Sequence, residues 1–275
     1  MKKFFGLTLV AFLSITYSVT AKEIPFLKPY GELLQDYVED ATLDGIPTYK
    51  VNYKAWQKDP RHKQAMALLE KDETSAYLSK EQQLSFWINA YNLLVIDLIV
   101  REAPTESVQD LGGIVSDPWN DYAWLIDGLE YTLNDVQQQV IRPLREPRAF
   151  FALSCGAISC PNLKRTPYGQ DYLYTQLEKQ TLKFISNNLK AVRIEKAEEK
   201  NGIVQGKDKA FLSQLFLWHQ QDLEGGNPAR FIGQYIPMDN TEASDYMDFD
   251  WKLNALPNEL PDPKLRNHIT LGNKN

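Results

Sequence analysis

Between Glu81 and Arg101 the apolar residues do not keep to one side. Leu84, Phe86, Trp87, Ile88, Tyr91, Leu93, Leu94, Val95, Ile96, Leu98 and Ile99 cover nearly the whole circumference of a helix. A surface helix confines its apolar residues to a stripe, so a helix apolar on every side has to be enclosed by other elements. Ser79 and Gln82 give it a capping-box start, and Pro104 stops it shortly after its end. Asn89, Asn92 and Asp97 interrupt the apolar run, which argues for a core helix over a membrane span. The expectation is an α+β fold: a single helix-rich domain over residues 22–275, built round this buried central helix, with a small β-sheet.

The first 21 residues read as an address. Lys2 and Lys3 form a basic start, Phe4–Ile15 a short apolar core, and Val19-Thr20-Ala21 a small-residue cleavage pattern. That core is about a dozen residues, short of the roughly 20 needed to span a bilayer. A signal peptide cleaved after Ala21 is expected, and with it a periplasmic or secreted protein. No stable membrane span is expected after cleavage. At 43% hydrophobic and 24% charged, the chain is too apolar for disorder and too charged for a polytopic membrane protein. A net charge of −6 without a basic block argues against nucleic acid as a partner.

The rest of the pattern is mostly helical. Helices are predicted over 26–40, 61–71, 134–142, 171–189, 209–223 and 229–236 by their apolar spacing. A short strand is predicted over 49–53. Ala123–Ile126, Asp127-Gly128 and Leu129–Leu133 give a hairpin signal with Asp-Gly at the turn. Ala149–Ser154 reads as a short apolar strand, Ala191–Lys196 and Ile203–Gln205 as two more, and Tyr246–Leu253 as a final strand.

Two cysteines and three histidines limit the chemistry. Cys155 follows an apolar segment and precedes a glycine, where a turn exposes a thiol nucleophile. In an oxidising compartment Cys155 and Cys160 can equally form a disulfide, if a turn brings their Cα atoms within about 4.4–6.8 Å. Two inert thiols are the third alternative. A zinc site would need His62, His219 or His268 beside the cysteines, and their wide spacing makes no metal the expectation. No cofactor is expected. Asn89 and Asn92 share a helix face and either orient a ligand or catalytic group, or satisfy a neighbouring loop's backbone. His219, with Trp218 before it and Asp222 three residues on, is of the right type for a general base, or is simply packed. Trp119, Asp121, Tyr122 and Trp124 form an aromatic, acidic cluster that either lines a ligand site or makes a small core.

Phe86-Trp87-Ile88-Asn89-Ala90-Tyr91-Asn92 resembles the FWINxYN helix of the domain of unknown function 547 family. Leu133–Arg142 resembles its Leu-x-Asp-Ile-Glu-His-Gly-Ile-Leu-Arg segment, and Ala152–Pro161 its ALxCxxxSCP motif. Leu212–Leu223 is similar to its Leu-Ser-x-x-Phe-x-Trp-Tyr helix, and Asp250–Asn254 to its closing Asp-Trp-x-Leu-Asn. The resemblance runs over about residues 30–255. The family's activity is not established. Three places depart from the pattern. The family's Glu-His pair is Gln137-Gln138 here, a His is Phe150, and a Tyr is His219. Cys155, Cys160, Asn89, Asn92, Arg142 and Pro161 are kept. Of these, Asn89, Asn92, Arg142 and Cys160, together with Trp87, are the candidate ligand- or site-lining residues.

A cysteine nucleophile lacking its histidines loses the group that makes thiolate and protonates the leaving group. The first reading is therefore an exported envelope protein, non-catalytic or catalytically degenerate, that binds a small ligand or a protein partner. The second is a cysteine-dependent hydrolase or acyltransferase, with Cys155 as nucleophile, His219 as base and Asn89 or Asn92 orienting. The third is a structural protein whose Cys155–Cys160 disulfide pins a loop.

Overall fold

The computed structural model describes residues 22–111, 117–201, 203–239 and 241–266. The expected signal peptide and His268 lie outside the described residues. The chain is α+β. The α-helices are α1 (Leu27–Tyr37), α2 (Tyr53–Trp56), α3 (Pro60–Glu70), α4 (Lys80–Glu102), α5 (Pro118–Asp121), α6 (Leu133–Asp135), α7 (Leu173–Ile185), α8 (Gln214–Trp218) and α9 (Pro228–Ile232). The strands are β1 (Val38–Leu43), β2 (Ile46–Val51), β3 (Ala123–Ile126), β4 (Leu129–Thr132), β5 (Val192–Glu195), β6 (Glu198–Lys200), β7 (Ile203–Gln205), β8 (Asp208–Leu212) and β9 (Thr241–Tyr246).

α4 is the axis of the larger core. It is long and apolar enough to cross a membrane, but nearly all of it is packed inside the protein. Residues 84–100 are buried without a break, which is why no polar face appears in its sequence. Its capping box is complete: Ser79 Oγ accepts from Gln82 N at 3.1 Å, and Gln82 Oε1 accepts from Ser79 N at 3.1 Å. α1, α2, α3 and the β1–β2 and β3–β4 hairpins wrap α4. The Asp127-Gly128 turn joins β3 and β4, with both residues at positive φ.

A second, smaller core lies under the sheet β5-β8-β9, in which β5 pairs β8 antiparallel and β8 pairs β9 parallel. Phe184, Ile185, Phe216, Phe231 and Ile232 fill it, with Phe151 among them.

Four expectations fail here. The helix expected over 26–40 ends at Tyr37, and Val38 starts β1. Ala149–Ser154 is not a strand. Pro147–Ala152 is a 3-10 helix started by Pro147, with Glu146 accepting from Arg148 N. A short apolar run does not distinguish strand from buried helix by periodicity. Here it sends Phe150 into the larger core and Phe151 into the smaller one. The helix expected over 209–223 is broken. Its first part is β8, and Ser213 then caps α8 by accepting from Leu215 N. The final strand lies earlier than expected, at Thr241–Tyr246, and residues 250–254 instead run as a brace described below.

Candidate functional site

The Cys155–Cys160 segment is held from three sides. From α4, Asn92 Nδ2 donates to Ala152 O at 3.0 Å, and Asn92 Oδ1 accepts from Ser154 N at 2.7 Å. That fixes the backbone up to the residue before Cys155. From the tail, Lys252 O accepts from Ile158 N at 2.8 Å, and Gly156 O accepts from Asn254 N at 2.9 Å. Asp250 N also donates to Ser159 Oγ at 2.8 Å. From below, the buried Lys190 ammonium donates to Thr48 Oγ1 (3.0 Å), Ile158 O (3.1 Å), Cys160 O (2.9 Å) and Asn162 Oδ1 (2.6 Å). Gly156 turns the loop at φ +79°, and an added Cβ would come within 2.4 Å of Ile99 Cδ1. The result is a Cα–Cα separation of 5.7 Å between the cysteines, which are joined as a disulfide.

Cys155 is half-buried and faces a cavity of about 420 Å³, whereas Cys160 is buried behind it. Gln137, Gln138, Phe150 and His219 wall the same cavity. These are the positions at which the sequence departs from the family pattern, so the departures cluster in space. Gln137 and Gln138 reach it as consecutive residues because Val136–Ile141 winds as a π-helix. This segment follows a capping box made by Thr132 and Asp135.

The mouth is aromatic. Trp119, Trp218 and Trp251 line it, and Phe249 packs on Trp251 at 4.5 Å between ring centroids. Trp218 lies over Trp251 at 5.8 Å with nearly parallel rings. Deeper in, the Tyr91 hydroxyl accepts from Trp119 Nε1 (2.9 Å) and Gln137 Nε2 (3.1 Å). Burial pushes the Tyr91 phenol above its ordinary range, so it stays protonated at neutral pH.

His219 stacks on Phe150 at 4.2 Å, in a buried position. Its Nδ1 makes no hydrogen bond among the described residues and lies 3.7 Å from Asp222 Oδ2. Burial pushes the Asp222 carboxyl up, but His219 and Arg142 outweigh it and hold the group below the usual carboxylate range. Arg142 Nη2 donates to Asp222 Oδ2 at 2.9 Å, and Arg142 also bonds Gln138 Oε1. The guanidinium is therefore neutralised outside the cavity wall.

Cys155 and His219 thus share one cavity, with Cys160 and Arg142 one residue behind it. Asn89, Asn92 and Trp87 do not line it. Asn89 binds backbone: Nδ2 donates to Ser85 O (2.7 Å) and Tyr168 O (2.8 Å), and Oδ1 accepts from Tyr168 N (2.9 Å). Trp87 is packed between Phe86 and Tyr131. The group beside His219 is Asp222, three residues on, and neither asparagine. The wall contributed by Trp251 had no signal in the sequence beyond the motif that carries it. Of the aromatic, acidic cluster, Trp119 lines this cavity, whereas Trp124 donates from Nε1 to Asp97 at 2.7 Å on the far side of α4.

A wider depression of about 980 Å³ lies over that far side, at His62 and Asp97. Its polar floor is already paired. His62 Nδ1 accepts from Trp56 Nε1 at 3.1 Å, which places the ring proton on Nε2, donated to Asp97 Oδ1 at 2.9 Å. Among the described residues no three His, Cys, Asp or Glu side chains are grouped so as to hold a metal ion.

Fold and site together define an α+β protein with a disulfide-bearing loop at the base of an aromatic cavity. Residues 75–185 match the model of the family described as "Protein of unknown function, DUF547", and the chain carries a DUF547 domain over those residues. No curated protein and no solved structure matches the chain.

Proposed function

We propose that this is an exported envelope protein, non-catalytic or catalytically degenerate, that binds a small ligand in the aromatic cavity. The carrying observation is the cavity wall itself. Where the family pattern has Glu, His and His, this wall presents Gln137, Gln138 and Phe150, beside a cysteine already bonded to Cys160. Amides and indole faces bind neutral polar or partly apolar solutes, and about 420 Å³ falls in the range of small-ligand sites. Export rests on the leader pattern of residues 1–21.

The test is tryptophan fluorescence and thermal shift on the mature protein against a defined set of neutral sugars, amino acids and short-chain carboxylic acids. A saturable quench and stabilisation by at least one compound, both lost in Trp251→Ala, is the expected result. No saturable response, or one indifferent to Trp251→Ala, counts against the proposal.

A second reading keeps thiol chemistry, a cysteine-dependent hydrolase or acyltransferase. It is favoured by Cys155 and His219 lining one cavity with Asp222 beside the imidazole. It needs the disulfide reduced. Hydrolysis of p-nitrophenyl acetate by the reduced protein, absent when oxidised and absent in Cys155→Ser, would put it first. Equal rates in all three would end it.

A further inference from the structure

We propose that the Cys155–Cys160 disulfide is an exchange centre that takes two electrons from a dithiol admitted through the aromatic cavity. This rests on the reading that solutes enter the cavity.

The two sulfurs are not equivalent. Cys155 is half-buried and lines the cavity, whereas Cys160 is 1% exposed and belongs to the larger core. An incoming thiolate therefore meets Cys155 first, and Cys160 is the sulfur expelled. Exchange depends on which sulfur is reachable and on how well the other leaves. The leaving side is prepared. Lys190, the one buried lysine among the described residues, donates to the carbonyl oxygens of both Cys160 and Ile158. A thiolate on Cys160 forms beside that side chain, in the field of its ammonium while Lys190 keeps its proton. The entering side has a base. His219 lines the cavity with Asp222 3.7 Å behind it, and its Nδ1 makes no hydrogen bond among the described residues. A purely structural bridge needs neither an open approach to one sulfur nor an imidazole on the wall of the same cavity.

The loop also survives the opening of its bridge. The Asn92 side chain holds the Ser154 backbone, and the Lys252 and Asn254 backbones hold those of Ile158 and Gly156. The cysteines therefore stay in register in both redox states.

In the reaction, His219 takes the proton of one substrate thiol. The thiolate attacks Sγ of Cys155, the Cys155–Cys160 bond breaks, and Cys160 leaves as thiolate. The second substrate thiol loses its proton and attacks the substrate sulfur of the mixed disulfide, releasing Cys155. The dithiol becomes a disulfide, and two electrons and two protons end on Cys155 and Cys160.

The experiment uses the mature full chain with its disulfide, kept anaerobic. Dithiothreitol is the dithiol probe, and alkylation with intact mass is the readout. Native wild type is expected to become fully reduced without denaturant. With glutathione disulfide as the second probe, Cys160→Ser should form a mixed disulfide at Cys155 at least about tenfold faster than Cys155→Ser forms one at Cys160. In guanidinium the two variants should react alike. In Cys160→Ser, adding His219→Asn should slow the reaction about tenfold at pH 7 and leave it unchanged above the thiol's ordinary pKa of about 8.5. Reduction only in denaturant, equal native rates for the two cysteines, or no effect of His219→Asn at pH 7 overturns the proposal. The ligand titration separates the two ideas: a protein that binds a solute but resists dithiothreitol loses the exchange centre and keeps the binding function.

Discussion

Lys190 allows a prediction with a definite sign. It is 4% exposed, and burial, helped by the neighbouring Lys183, pushes its ammonium down to about 7 from 10.5. In the unfolded chain it holds its proton up to about pH 10.4. Between those values the unfolded state binds a proton that the folded state does not. Stability therefore rises with pH across that window, by at most about 1.4 kcal/mol per pH unit from this one group. Lys164, pushed down to about 8 by burial and Lys179, adds to the same slope at its upper end. Above about pH 10 the sign reverses. Burial raises Tyr30, Tyr53 and Tyr168 in the folded state, so the unfolded chain loses protons that the folded one keeps. The clean window is pH 7.5 to about 9.5, above the ordinary carboxylate and histidine ranges. The assay is urea unfolding of the mature protein at half-unit steps across it. Wild type should gain stability with pH. Lys190→Met should lose most of the slope and, at pH 7, about 2–5 kcal/mol, because four oxygens lose a shared donor. A flat or falling wild-type profile, or a slope unchanged in Lys190→Met, refutes the reasoning.

Other perturbations read different parts of the structure. Gly156→Ala combines a positive φ with a Cβ driven into Ile99, and should cost about 2–4 kcal/mol by denaturant melts. Gly45→Ala, strained but open around its Cβ, should cost less. Asp97→Ala removes the acceptor of Trp124 Nε1 and His62 Nε2 inside the core, and should cost about 3–5 kcal/mol in the same assay. The double variant Cys155→Ser/Cys160→Ser opens a loop of five-residue separation, for which chain entropy gives about 2 kcal/mol. An unchanged melting temperature would remove the disulfide's structural role.

What the sequence revealed depended on how local its cause was. α4 was legible nearly to the residue, because its cap and its all-round apolar surface are properties of its own segment. The β3–β4 hairpin was legible for the same reason, through Asp127-Gly128. Residues 208–212 were misread because nothing local makes them a strand. Their partners are Val192–Glu195 and Thr241–Tyr246, which periodicity in one window does not see. Phe150 and Phe151 were misread as part of a strand. They sit in a 3-10 turn and point into two different cores. Cys155 and His219 stood out by residue type. That they meet at one cavity depends on Ser213 ending β8 and redirecting the chain into α8, a step with no signature longer than one residue.

The brace formed by residues 250–254 also bears on how the loop is assembled. Asp250 reaches Ser159 across 91 positions of sequence, so the loop gains its last support only when the end of the chain arrives. Closing such a long-range contact is slow compared with closing a short loop. Cys155 and Cys160 are five apart, and the chain has no other cysteine, so their pairing has no intramolecular competitor at any stage of synthesis. The bridge is free to close before the tail docks, and one that has closed by then is enclosed when the tail arrives. A chain shortened before Asp250 keeps the cysteine pair and the 75–185 family segment yet lacks the Trp251 wall.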